Sequence, residues 1–285
     1  MIRYTKKEIN FIKNNFNKMS RVEMSLKLNR TIGSIRSVLN RFSLKNSKKD
    51  ILNKQILFNR KISGEFTVDE RLFTSKINKT TSYLLGLLWA DGCLVIKRKF
   101  GDIKTCRIIL SLKKDDGGYI KNLLNKTGKW SFYINNAGKN SQYVFSCSNT
   151  ILCQFLEKND YIKKSIKSPT KILNFIPIKY HNYFYLGYLD GDGCIYAKNN
   201  DFRIIFTSNI KQDWSFLKSL CKQLGCKFTI QRIIRKNRNS KFSSFSLFGK
   251  SNCLLLCNFI YSNNKKLGFD RKREKYKLIQ NYTSL

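Results

Sequence analysis

The sequence predicts an α+β fold in which one order of elements, α-β-β-α-β-β-α, is used twice around a pseudo-twofold, preceded by a small three-helix domain. Three observations carry that reading. An apolar stretch ending in Asp-Gly-Cys occurs twice, as Tyr-Leu-Leu-Gly-Leu-Leu-Trp-Ala-Asp-Gly-Cys at 83–93 and as Tyr-Leu-Gly-Tyr-Leu-Asp-Gly-Asp-Gly-Cys at 185–194. Each copy is followed by the same succession of period-two and helical-period patterns. Matched landmarks, Arg107-Ile108-Ile109 with Arg203-Ile204-Ile205 and Gly128 with Gly225, keep the same order in both copies.

Residues 1–44 read as a unit of three short helices. Thr5 with Glu8 and Ser20 with Glu23 are capping-box patterns, each opening a run with helical apolar spacing: Ile9, Ile12 and Phe16, then Val22 and Leu26. A third helix starts near Thr31, with Ile32, Ile35, Val38, Leu39 and Phe42 as its apolar face. Tight turns between them give a helix-turn-helix-like module whose third helix would read DNA through Arg30, Ser34, Arg36, Ser37, Asn40 and Arg41. A plain protein-binding bundle is the other reading, and the surrounding positive charge favours DNA. Residues 45–80 form a basic linker without sustained periodicity, following a phosphate backbone along 45–49 and 59–63 and docking Phe66, Leu72, Phe73 and Ile77 on the next domain.

The first half covers 81–163, a connector 164–182 and the second half 183–285. In the first half the motif helix leads into strands at 94–99 and 103–113, a helix at 115–127, strands at 130–135 and 142–147, and a helix at 150–158. The second half repeats this with strands at 195–198 and 202–208, a helix at 211–224, strands at 227–234 and 241–248, and a helix at 252–261. Asp91 to Arg107 spans 16 positions and Asp192 to Arg203 spans 11, so the first hairpin is five residues longer.

Each motif delivers a carboxylate to a helix C-terminus, where the macrodipole disfavours it by up to about 1 kcal/mol. Two such carboxylates, brought together by packing of the helices, repel and raise one pKa. A hard divalent cation offsets both costs, which makes Asp91 and Asp192 a candidate metal-dependent phosphodiester site. Gly86 and Gly187 stand five residues before each Asp, placed to let the two backbones approach closely.

Both stretches resemble the LAGLIDADG motif of homing endonucleases, and the resemblance covers roughly residues 80–285. It implies that the last acid of each motif, Asp91 and Asp192, holds Mg²⁺ or another divalent cation such as Mn²⁺, with backbone carbonyls nearby. The earlier motif acid is kept as Asp190 but is Trp89 in the first copy. The resemblance further implies a saddle of two sheets, and a monomer that makes a staggered double-strand break in a long asymmetric DNA site for intron or gene homing. It places a basic residue near the end of each half's last strand. Lys250 fills that place in the second half, while the first offers Ser146, Cys147 or Ser148, a departure that implies either a nicking preference or reduced activity. The other reading is a maturase or regulator that uses the same fold to bind intron RNA or DNA without cutting.

The composition agrees with a polyanionic partner. Lys and Arg total 55 against 18 Asp and Glu, a net charge of +37 in a chain that is 42% hydrophobic, which excludes a disordered tail. Alternation puts Lys227, Thr229, Gln231 and Arg235 on one sheet face and Phe228, Ile230 and Ile234 on the other, packed under helices. Lys97, Lys99, Lys104 and Arg107 play the same part in the first half, with Lys198 and Arg203 in the second. Arg and Gln would read base edges and Lys would hold phosphates. The longest apolar run falls far short of the ~20 residues of a membrane span. The N-terminus shows no secretion signal, and the C-terminus lacks the His-Asn that intein splicing would need. Nine cysteines without a Cys-x-x-Cys, beside one histidine, point to reduced, buried thiols in an intracellular compartment. His181 is expected to be a packing or capping residue. Abundant Lys, Asn and Ile suggest an AT-rich organellar, phage or bacterial genome.

Overall fold

The computed structural model describes residues 4–44, 47, 68–99, 102–136, 141–235, 240–262 and 267–282. The chain divides into two compact units, Met1–Glu65 and Phe66–Leu285. In the first, helices form where the sequence places caps: α1 (Lys6–Asn15), α2 (Arg21–Leu28) and α3 (Ile32–Arg41). Thr5 and Glu8 close a reciprocal capping box, and the Ser20 and Thr31 side chains accept from the amides of Glu23 and Ser34. Asn29 ends α2 in the left-handed region at φ 50°, a conformation its short polar side chain tolerates. Ile12, Met19, Met24, Ile35, Val38 and Leu39 form the unit's core.

Three expectations change here. Ile32, expected on the apolar face of α3, is 47% exposed. Leu26 turns outward and is 63% exposed, because contact with the neighbouring helices selects the Met24 and Leu28 side of α2. Arg30, expected among the DNA-reading side chains, pairs instead with Glu8 at 2.9 Å and pins the α2–α3 turn to α1.

In the second unit, the expected linker is already structure from residue 68 onward. Val68 bridges Gly128, the Val68 carbonyl accepts from the Asn149 side chain at 2.9 Å, and α4 (Arg71–Thr74) buries Phe73. Leu72 and Ile77 pack on the same core. The part of the linker at 48–67, with Phe66, lies outside the described residues.

The repeat then follows as read. The first half runs α5 (Lys79–Asp91), β1 (Gly92–Lys99), β2 (Asp102–Lys113), α6 (Lys114–Asn125), β3 (Ser131–Asn135), β4 (Gln142–Cys147) and α7 (Thr150–Lys158). A connector containing α8 (Thr170–Leu173) leads to α9 (His181–Asp192), β5 (Gly193–Lys198), β6 (Asp201–Asn209), α10 (Ser215–Gln223), β7 (Thr229–Arg235), β8 (Ser240–Phe248) and α11 (Lys250–Tyr261). Each half forms a four-stranded antiparallel sheet with the same strand order, β1-β2-β4-β3 and β5-β6-β8-β7. Gly92 pairs with Leu110 where Gly193 pairs with Phe206, which preserves the five-residue difference between the hairpins. One element was not anticipated, a final helix α12 (Asp270–Asn281).

α5 and α9 are buried on nearly every side, from Thr81 to Trp89 and from Asn182 to Asp190. Helices that are apolar all round belong at the centre of a core. His181 is structural as expected, its Nε2 lying 2.9 Å from the Ile176 carbonyl oxygen. All nine cysteines are free thiols, but Cys93 and Cys194 are exposed rather than buried, because each occupies the first outward position of its hairpin. Among the described residues no helix is long and apolar enough to cross a membrane.

Candidate active site and nucleic-acid face

The two motif helices meet through their glycines. A Cβ built at Gly86 would lie 2.0 Å from the Phe184 carbonyl oxygen, and one at Gly187 would lie 2.0 Å from that of Tyr83. Further along, a Cβ at Gly191 would stand 3.1 Å from Asp91 Oδ2. Gly86 therefore lies between Phe184 and Tyr188, Gly187 between Tyr83 and Leu87, and Gly191 against Ala90 and Asp91, so the contacts advance together along both chains and the helices run parallel and end side by side. Both negative helix termini and both motif acids are thereby collected at one place.

The electrostatics record the crowding. Asp192 is half-buried and its carboxyl is pushed up to about 6, first by burial and then by the charge of Asp91. Asp91 lies at the solvent edge, and its carboxyl is also raised, chiefly by desolvation from the protein around it. Two carboxyls with raised proton affinity at adjoining helix ends, one of them raised in part by the other's charge, are a donor set suited to a hard divalent cation.

Two lysines the sequence reading passed over offset this charge. Lys164, in the connector, donates to the Trp89 carbonyl at 2.7 Å and to the Ala90 carbonyl, the last turn of α5. Lys272, on α12, does the same for α9, donating to the Asp190 and Gly193 carbonyls at 2.6 Å and to that of Leu189. Both lower the proton affinity of Asp91 and Asp192. Burial in turn depresses both ammonium groups, Lys272 to about 8. Several carbonyls at the two helix ends thus accept from lysines. In a chain with 55 Lys and Arg, neither Lys163-Lys164-Ser165 nor Arg271-Lys272-Arg273 stands out, and only folding reveals their pairing.

Lys250 does not fill the role expected of it. It opens α11, and its Nζ donates to the Tyr282 carbonyl at the end of α12, while the lysines whose charges act on Asp91 and Asp192 are Lys164 and Lys272. The segments that return over the helix ends supply a lysine to each half. In the first half the lysine at the helix end comes from the connector rather than from the end of the last strand.

Asp190 has become structural. It is buried, its Oδ2 accepts from Tyr83 Oη and the Phe269 amide, each at 2.9 Å, and burial raises its carboxyl to about 7. Trp89, its counterpart in the first copy, is buried edge-on against Tyr161.

Directly paired residues of antiparallel strands share a face. Lys97 pairs with Thr105, Val95 with Arg107, Tyr196 with Arg203 and Lys198 with Asp201, and all eight lie on the faces opposite the buried Ile108 and Ile204 rows. Thr229 and Gln231 join them through Ser246 and Ser244 of β8, and Lys227 is exposed just before β7. Arg203 is partnered, held by Asp201 and lying over the Tyr196 ring at 5.7 Å. Lys104 is the residue passed over by the register shift after Lys97. The side chains of Lys99, Lys104 and Arg235 lie outside the described set. On the other face Phe228 stacks on Phe245, but Ile230 and Ile234 are exposed, Ile234 at 61%, because β7 is an edge strand that the helical layer does not reach. On α3, Arg36, Ser37, Asn40 and Arg41 are exposed as expected.

The second unit thus sets two four-stranded sheets of identical strand order beside two parallel motif helices, with an acid at the end of each helix. Residues 179–261 match the family described as LAGLIDADG-like domain. Among solved structures, the meganuclease I-SmaMI bound to uncleavable DNA aligns with a TM-score of 0.50 at 16% identity, over 73% of this chain and 92% of that one. The I-LtrWI LAGLIDADG homing endonuclease bound to target DNA aligns at 0.48 and 14%, over 70% and 89%. I-DmoI in complex with DNA and Mn aligns at 0.43 and 16%, over 65% and 97%. No curated protein matches the chain.

Proposed function

We propose that the chain is a site-specific DNA endonuclease of the LAGLIDADG homing type, making a divalent-metal-dependent staggered double-strand break in a long asymmetric duplex as a monomer. The observation that carries this is the pair of carboxylates, Asp91 and Asp192, gathered at the adjoining ends of two parallel helices with one lysine on each end. Asp91 and Asp192 would hold Mg²⁺ or a similar cation, which supplies water activation and charge neutralisation at the phosphate. Lys164 and Lys272 place ammonium groups where negative charge develops. A lysine lowered to about 8 can also hold or release a proton near neutral pH. Lys97, Arg107, Lys198 and Lys227 would position the backbone and Gln231 would read base edges, with α3 as a second reader through Arg36, Asn40 and Arg41.

The test is cleavage of plasmid carrying the uninterrupted insertion site, with Asp91→Asn and Asp192→Asn alongside. The expected result is a linear product from wild type, with cleavage lost and duplex binding kept in both variants. Continued double-strand cutting by both variants would overturn the assignment. Absent cutting with preferential binding of structured RNA would move the reading to a maturase.

A further inference from the structure

α12 carries a lysine that serves the end of α9, yet much of what holds its N-terminal turn belongs to the other half of the molecule. On α6 of the first half, Asp116 is buried and accepts from Arg271 Nη2 at 3.0 Å and from its Nε at 3.3 Å. One turn further, the Tyr119 hydroxyl accepts from the Gly268 amide at 3.1 Å. Gly268 sits at φ +104°, a conformation only glycine takes readily, and a Cβ there would stand 3.2 Å from Asp190 Oδ2. The chain is thereby clamped immediately before Lys272. Between these partners lies a cleft of about 480 Å³, lined by Asp115, Asp116, Tyr119 and residues 268–271, so the two polar links bridge it where apolar packing is incomplete.

We propose that Asp116 and Tyr119 of the first half are positioning residues for Lys272 of the second, so that chemistry at the end of α9 depends on a hold supplied by α6. This rests on the endonuclease reading for its catalytic consequence but not for its structural part. Arg271 connects the two halves. It is bound by Asp116, it precedes Lys272 directly, and its charge also acts on Asp91 and Asp190. Lys164, which serves α5, owes none of its described hydrogen bonds to α6. The two ends should therefore respond differently to changes on α6.

The structural part is read by acetylating the full chain with an N-hydroxysuccinimide ester and following each lysine by peptide mass spectrometry. In wild type, Lys272 and Lys164 should label slowly, and the exposed Lys275 and Lys277 quickly. Asp116→Ala and Tyr119→Phe should raise Lys272 labelling about 10-fold, as expected for losing a hydrogen bond that keeps a local segment closed. Asp116→Asn, which keeps an acceptor, should fall between. Lys164 should stay protected throughout, whereas a globally loosened fold would expose both lysines. Unchanged Lys272 labelling, or equal exposure of Lys164, overturns the proposal.

The catalytic part is read on a duplex selected by cleavage from a randomised plasmid library, with the two strands labelled separately. Asp116→Ala and Tyr119→Phe should slow the strand that Lys272→Met slows, by about 10-fold or more, and leave the Lys164-dependent strand at its wild-type rate. Equal slowing of both strands, or no slowing despite raised labelling, overturns it. A wild type that cuts no member of the library would sink the endonuclease reading instead, while the labelling still decides whether α6 holds Lys272.

Discussion

Asp192 retains a proton to about pH 6 because burial and the neighbouring Asp91 both oppose its charge. Its folded pKa lies above the ordinary value of 3.8, so between roughly pH 4 and 6 the folded chain keeps a proton that the unfolded chain has released. Stability contributed by this group is then lost as pH rises through that window. A divalent cation should reverse the loss where the carboxyl is ionised. Thermal melts with Ca²⁺ as a probe are expected to show a larger increase in melting temperature at pH 7.5 than at pH 5, where protons compete for the same oxygens. Asp192→Asn should remove most of that difference. An equal Ca²⁺ effect at both pH values, or one that survives in the variant, would mean that the ion sits elsewhere.

At the scale of elements, the parallel pair of motif helices is the least tolerant feature of the molecule. Gly86 and Gly187 are required by close approach, since any side chain would meet a carbonyl oxygen of the opposite helix. Gly86→Ala should destabilise the second unit by at least about 3 kcal/mol, the upper range for overpacking, because backbone rather than a rotatable side chain must move. Denaturant titration measures this, with Gly33→Ala as a control. Gly33 sits on α3 with nothing within 4 Å of a built Cβ, and alanine has the higher helix propensity. Equal effects at the two sites would refute the close-packing account.

At the scale of the whole molecule, the charge of +37 and the division into two units set what can be removed. The 66–285 segment carries both motif helices, both sheets and both lysines, so deletion of residues 1–65 is expected to leave a folded, cutting-competent core. Duplex binding by that core should remain strongly salt-dependent, with a log-log slope near −7 if its sheets neutralise about 8 phosphates. Its preference for the cognate duplex over a scrambled one should fall, because the α3 side chains are gone. A binding titration across salt on both duplexes gives the two quantities. Loss of the cooperative melt on truncation would show that the first unit belongs to the core.

Much of this was legible in the sequence because it is written in local periodicity and repetition. The duplicated Asp-Gly-Cys motif, the order of elements in each half, the hairpin difference and the caps at Thr5, Ser20 and Thr31 all depend on residues a few positions apart. The charge alone pointed to a polyanion. What only the tertiary structure decided lies between distant segments. Leu26 faces out because neighbouring helices select another side of α2, and Ile234 is exposed because β7 is an edge. Lys164 and Lys272 occupy the motif ends, and Lys250 does not, because segments far from each motif fold back over the α5 and α9 termini. A lysine's role is set by the carbonyls it meets rather than by its neighbours in sequence, and among 55 basic residues no local pattern distinguishes the two that meet them.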